Sequence, residues 1–221
     1  MKLALNGATT MKADLETDIL AARSAGFDCL EIWAAKLRKY LATHSTTDLR
    51  TILAAQRIEP YSINSIERIN FRPVEERPAL FEECEELCRI ASEISCPYIV
   101  VVPGPAPEAA DQSYIIEETV RALGELGRIA ERFSVKLAFE FLGQTGCSVQ
   151  TLDLAREIVE KLDVPNIGLV VDSFHFYAGG STIESLEALD GDRLFIFHIN
   201  DAEDLPRERL EDRHRLLPGL G

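Results

Sequence analysis

The sequence predicts a (β/α)8 barrel, and three observations carry that expectation. Short apolar runs rich in β-branched and aromatic residues alternate with longer amphipathic segments along the whole chain. The strand candidates start 27, 31, 38, 38, 31 and 27 residues apart, one strand-plus-helix unit per step. The strands are apolar almost throughout, as they must be when a parallel sheet is buried on both faces. An open doubly wound sheet is the competing architecture, but no GxGxxG follows the first strand to favour a dinucleotide-binding version of it.

The strand candidates are KLALN (2–6), CLEIW (29–33), PYSIN (60–64), YIVVV (98–102), KLAFEF (136–141), IGLVVD (167–172) and LFIFHI (194–199). Helical patterns lie between them. DLETDILAARSAG (14–26) has apolar residues at three- and four-residue spacing and Gly26 as a stop. RPALFEECEELCRIASEI (77–94), SYIIEETVRALGELGRIAERF (113–133) and SVQTLDLAREIVEKL (148–162) follow the same rule, with Ser148 and Ser181 as expected helix caps.

No linker or low-complexity tract breaks the series, so residues 1–221 are expected to form a single barrel domain. Only about seven βα units fit, against the ~250 residues of a complete barrel. The eighth strand and the last helices are therefore expected to be missing from this chain. Two unpaired edges would flank the gap. Pairing with a second copy across that gap, giving a homo-oligomer, is the alternative way to cover it.

Composition narrows the function classes. With 23 basic and 37 acidic residues the net charge is −14, which argues against a nucleic-acid partner because phosphate contacts need basic surface. No apolar run is long enough for a membrane span, and the first residues lack a signal-peptide pattern. Five cysteines, an odd number without CxxC, fit a reduced, cytoplasmic setting. Cys84 and Cys88, four apart on a helix, read as buried thiols.

Strand alternation locates the candidate chemistry. Phe139 and Phe141 flank Glu140, so the rings face the helices and Glu140 faces the barrel axis. Asp172 ends the inward set Gly168, Val170, Asp172, and His198 lies inward with Ile196 and Asn200. Three consecutive strands thus each place one ligand at the carboxyl-terminal end, where barrel enzymes build their sites. Glu140, Asp172 and His198 together suit one divalent metal ion, zinc, manganese or magnesium. Burying two carboxylates without a cation would be costly. Trp33 closes the second strand at the barrel mouth, as an apolar wall for a sugar or cyclitol ring or as core packing. His44 reads as packing or capping and His214 as exposed. Asp201 and Asp204 are either partners of the His198 region or solvated.

At these residues the chain resembles the sugar-phosphate isomerase/epimerase superfamily, with its xylose-isomerase-like TIM barrel. Within it the resemblance is to the inosose (2-keto-myo-inositol) isomerases of inositol catabolism. The segments that carry it are LNGATT, GFDCLEIW, VKLAFEFLG, NIGLVVDSFHFYAGGSTIESL, FIFHINDAEDLP and RLLPGLG, spread over essentially the whole chain. The resemblance implies a metal held by Glu140, Asp172, His198 and a second glutamate of the eighth strand, for which this sequence has no counterpart. It implies that His175 stands near metal and substrate, and that Arg215 contacts substrate oxygens. A loop histidine and a solvated arginine are the plainer alternatives. Gly7 stands where those isomerases carry an acidic residue and Trp33 where they carry an arginine, so the substrate can differ.

The expected function is a divalent-metal-dependent isomerase or epimerase of a small cyclic polyol ketone or ketose, working by proton transfer through a metal-bound enediolate. Glu140 and the second glutamate would exchange the proton, with His175 assisting. A dehydratase on the same metal site and a non-catalytic fragment lacking the fourth ligand are the alternatives.

Overall fold

Seven parallel strands curl into a half-barrel in the computed structural model, which describes residues 2–221. They are β1 (Ala4–Asn6), β2 (Cys29–Trp33), β3 (Glu59–Ile66), β4 (Tyr98–Val101), β5 (Lys136–Glu140), β6 (Ile167–Asp172) and β7 (Leu194–His198). Each pairs with its neighbour in sequence, and among the described residues β1 and β7 are the sheet's two edges. Six of the seven begin within one residue of the expected start, and β1 begins two residues later. A two-stranded antiparallel ribbon, β8 (Asp201–Ala202) with β9 (Arg215–Leu216), follows β7.

The helices α1 (Leu15–Ser24), α2 (Ala34–Leu41), α3 (Thr46–Gln56), α4 (Arg77–Ile94), α5 (Gln112–Glu131) and α6 (Leu152–Leu162) run between the strands. After β6 come two short helices, α7 (Ser173–Ala178) and α8 (Ile183–Glu187). Alternation along the strands separates two cores. Ile99, Val101, Leu137, Phe139, Leu169 and Val171 point outward and pack with helical residues such as Ile19, Leu37, Leu87, Leu123 and Ile158. Val100, Val102, Ala138, Val170 and Ile196 point inward and fill the floor of the half-barrel, with Tyr61 and Tyr98 against them. The outer core is the larger, and each fully buried Leu, Ile or Phe in it contributes roughly 1.5–3 kcal/mol. The inner core stops short of the strand ends, and the polar residues begin there.

Capping departs from expectation at two places. Thr151, not Ser148, caps α6 by accepting from the Leu154 N–H, and Thr182, not Ser181, caps α8. The two serines serve the packing between elements instead. Ser148 Oγ accepts from Asn70 Nδ2 at 3.0 Å, and Ser181 Oγ accepts from the Leu152 N–H at 3.0 Å, satisfying a free donor in the first turn of a different helix. Ser45 and Asp48 form a reciprocal capping box on α3. His44 stacks on Tyr40 with ring centroids 4.4 Å apart. Cys84 and Cys88 are buried as free thiols, their sulfurs 3.9 Å apart. Among the described residues no helix is long and apolar enough to cross a membrane.

Candidate metal centre

The last residues of β5, β6 and β7 are Glu140, Asp172 and His198, and parallel pairing sets them side by side at one rim. Asp172 lies directly opposite His198 in the β6–β7 register, and Glu140 lies opposite Val170. One ligand atom from each of the three falls within 4.8 Å of the others. His198 Nδ1 is 3.1 Å from Glu140 Oε1 and 3.6 Å from Asp172 Oδ2. Both carboxylates are buried.

Asp172 has a second duty. Its Oδ1 accepts from the Phe174 and His175 N–H groups at 2.8 and 3.1 Å, so it caps α7 as β6 ends. Its Oδ2 turns to the cluster, where it accepts from Arg215 Nη1 at 2.8 Å and Asn200 Nδ2 at 3.2 Å. Burial pushes the Asp172 carboxyl up, but the His198 hydrogen bond and the Arg215 charge outweigh it and hold it well below the ordinary carboxylate value. The Asn200 side-chain oxygen, Oδ1, is buried without a hydrogen-bond partner, an acceptor left over for a ligand.

A third carboxylate, absent from the expectations, completes the ring. Glu31, in the middle of β2, is 2% exposed and both its oxygens lie within 3.2 Å of His198 Nε2. Asn6, Asn64 and Ser62 donate to it at 2.8, 2.8 and 2.6 Å. Its signal in CLEIW is the one that marked Glu140 in KLAFEF: a glutamate between two outward apolar residues. Burial drives the Glu31 carboxyl up, yet the charge and hydrogen bond of His198 reverse this, and it titrates below the ordinary value. Burial drives His198 down, but the charges of Glu31 and Glu140 prevail and raise it well above 6.5. His198 thus stands among three carboxylates, on the spot where their charge calls for a cation. With Glu140, Asp172 and Nδ1 facing one point and two oxygen donors to one nitrogen, the residues fit a divalent ion of the zinc–manganese range.

His175 and Arg215 meet beside this cluster. His175, on α7 rather than in a loop, is buried, and its Nδ1 accepts from the Gly143 N–H at 3.2 Å. Burial chiefly lowers its pKa, which favours the neutral ring. Arg215 Nη2 lies 2.8 Å from the His175 Nε2, and a guanidinium can only donate. At that separation no third atom fits between them, so Arg215 and His175 stand as one contacting pair beside the cluster. Arg215 is not a solvated charge: the β8–β9 ribbon returns it over β6, with its guanidinium 4.4 Å from the Phe174 ring centroid. Asp201 does not reach His198, since its carboxylate accepts from the Gly219 N–H. His214 is half-buried rather than exposed and accepts from the Glu211 N–H at 3.0 Å. Trp33 is half-buried and lies two residues beyond Glu31, on the same side of β2. Gly7 faces no open site: a Cβ there would meet Asp18 Oδ2 and the Glu31 carbonyl, each at 3.1 Å.

Two glycines allow the His175 arrangement. A Cβ on Gly143 would lie 2.2 Å from the His175 carbonyl oxygen, and one on Gly179 would lie 1.9 Å from that of Gln150. Gly143→Ala is therefore expected to destabilise the chain by about 1–3 kcal/mol through overpacking. The urea midpoint measures this, and an unchanged midpoint would mean that the loop after β5 can yield without cost.

A parallel half-barrel with a Glu–Asp–His cation cluster at its carboxyl-terminal rim defines a metal-dependent barrel enzyme. The chain belongs to the xylose isomerase-like TIM barrel family, whose model matches residues 19–221. It is 38% identical to the inosose isomerase of Bacillus subtilis over 223 aligned residues, covering 100% of this chain and 80% of that protein. It is 37% identical to the inosose isomerase of Halalkalibacterium halodurans, covering 79% of that protein. Among solved structures, a crystal structure of IOLI protein with a binding zinc atom superposes with a TM-score of 0.96 at 38% identity, over 100% of this chain and 80% of that one. These relatives make the chain an isomerase by class.

Proposed function

We propose that the chain interconverts α-hydroxyketones of the cyclic polyol or ketose type, with 2-keto-myo-inositol (inosose) as the substrate its relatives' names suggest. The observation that carries this reading is the convergence of Glu140, Asp172 and His198 beside the contacting pair His175 and Arg215. Glu140, Asp172 and His198 would hold a divalent cation, which would supply Lewis-acid polarisation of the substrate's carbonyl and hydroxyl oxygens and so acidify the C–H between them. Glu140 is the group that takes this proton, because it is an ionisable carboxylate at the rim with one oxygen towards the cluster. His175 and Arg215, in contact beside the cluster, bind a substrate oxygen and fix the ring's orientation. Trp33, half-buried on the same side of β2 as Glu31, forms the apolar wall against which the ring rests.

The test is incubation of the chain with 2-keto-myo-inositol in D2O, with zinc, manganese or magnesium and with a chelator. Metal-dependent deuterium incorporation next to the carbonyl, with product otherwise of unchanged mass, is expected. A product lighter by one water would reassign the chain as a dehydratase. Absence of exchange with all three metals would overturn the reading for this substrate.

A further inference from the structure

We infer that Glu31 is a positioning residue for the metal centre, selecting which nitrogen of His198 faces the cation. The inference rests on the reading that Glu140, Asp172 and His198 hold that cation. An imidazole offers two chemically similar nitrogens, and a metal site works only if one is held with its lone pair on the metal. In this structure Nδ1 faces Glu140 Oε1 and Asp172 Oδ2 at 3.1 and 3.6 Å, while Nε2 faces Glu31 at 3.1 and 3.2 Å. Glu31 can only accept, so when a cation held by Glu140 and Asp172 takes the place of the Nδ1 proton, the remaining proton stays on Nε2 and the Nδ1 lone pair faces the metal. This is the carboxylate–histidine–metal relay, in which the outer carboxylate also raises the ligand's basicity.

The surroundings of Glu31 are built to keep it in that role. Asn6 Oδ1 accepts from the Ala8 N–H at 2.8 Å, which fixes the amide so that its Nδ2 points at Glu31. Asn64 Nδ2 and Ser62 Oγ on β3 donate from the other side. Three donors from two neighbouring strands hold the carboxylate, and its remaining capacity is directed across the mouth at β7. A glutamine at this position would turn an N–H2 group towards these donors, so Glu31→Gln removes both the charge and the fit. Glu31→Asp keeps the charge at a shorter reach.

The experiment measures zinc affinity of the full chain by competition with a chromophoric chelator, for wild type, Glu31→Gln and Glu31→Asp. Glu31→Gln is expected to bind zinc ~10–100-fold more weakly, as loss of such an outer partner does elsewhere, and Glu31→Asp to recover part of the loss. Nitrogen-15 NMR of the zinc-loaded wild type should show His198 bound through Nδ1 and protonated at Nε2, a result that does not depend on any variant folding. Zinc on Nε2, or affinity in Glu31→Gln within twofold of wild type, would overturn the role of Glu31 while leaving the metal site standing. No zinc uptake by the wild type would overturn both.

Discussion

Glu140→Gln is expected to lower metal-dependent α-proton exchange by ~10²–10⁴-fold, the range that a positioned general base contributes. The substitution is nearly isosteric, and Glu140 sits in a well-packed strand end between the fully buried Phe139 and Phe141, so the fold should survive it. An amide oxygen can still face the cation, but it cannot carry a proton away from carbon. The exchange is therefore to be measured at saturating zinc, so that weakened metal binding does not masquerade as a lost base. A rate near background with zinc still bound supports Glu140 as the base. An intact rate would move that role to another carboxylate, and Glu31, the other glutamate facing His198, is the one to test next.

How much of this was readable in advance varies with how local each signal is. Glu140, Asp172 and His198 were legible because each sits at the abrupt end of an apolar run, and parallel pairing of consecutive strands brings such ends to one rim. The strands themselves were legible for the same reason, their boundaries lying close to those expected. Glu31 shows the same alternation, yet it lies in mid-strand with Trp33 two residues beyond it. Its height relative to His198 depends on strand stagger around the curling sheet, which no single strand records. The pairing even shifts register at Leu30/Glu31, a feature of the neighbouring strand's path rather than of CLEIW.

A loop histidine stood as the plainer alternative for His175 because SFHFYA is too short to show helical period; its helix starts directly on the Asp172 cap. Two helix ends were legible without a glycine, since α4 and α6 stop at Ile94 and Leu162, where their apolar period runs out. α3, α4 and α6 close on Arg57, Ser95 and Asp163 in the left-handed region, where glycine is the usual signal. Arg215 looked like one charge in a charged run. Its pairing with Asp172 arises from the β8–β9 ribbon, a two-residue contact with no periodicity to read.

Lys36→Met is expected to cost about 3–5 kcal/mol of stability, the penalty for breaking a buried ion pair from one side. Lys36, on α2, and Asp18, on α1, are 5% and 1% exposed and 2.6 Å apart. The ammonium also donates to the carbonyls of Gly7 and Thr10, at 2.9 and 2.7 Å, and Thr10 Oγ1 donates to Asp18 Oδ1 at 2.6 Å. One buried charge thus ties the turn after β1 to two helices, beside the Asn6 that supports Glu31. Methionine keeps most of the stem's packing but strands the Asp18 carboxylate away from water. Lys36→Met/Asp18→Leu removes that stranded charge, so its cost should fall clearly below the sum of the two single costs. What remains is the desolvation of the Gly7 and Thr10 carbonyls, about 1–3 kcal/mol each when left unpaired. Urea midpoints of the wild type, both single variants and the double variant give the coupling. Additivity within about 0.5 kcal/mol would show that the two charges do not act as a pair. Strong coupling would mean that the rim beneath Asn6 and Glu31 is held by a single buried ion pair.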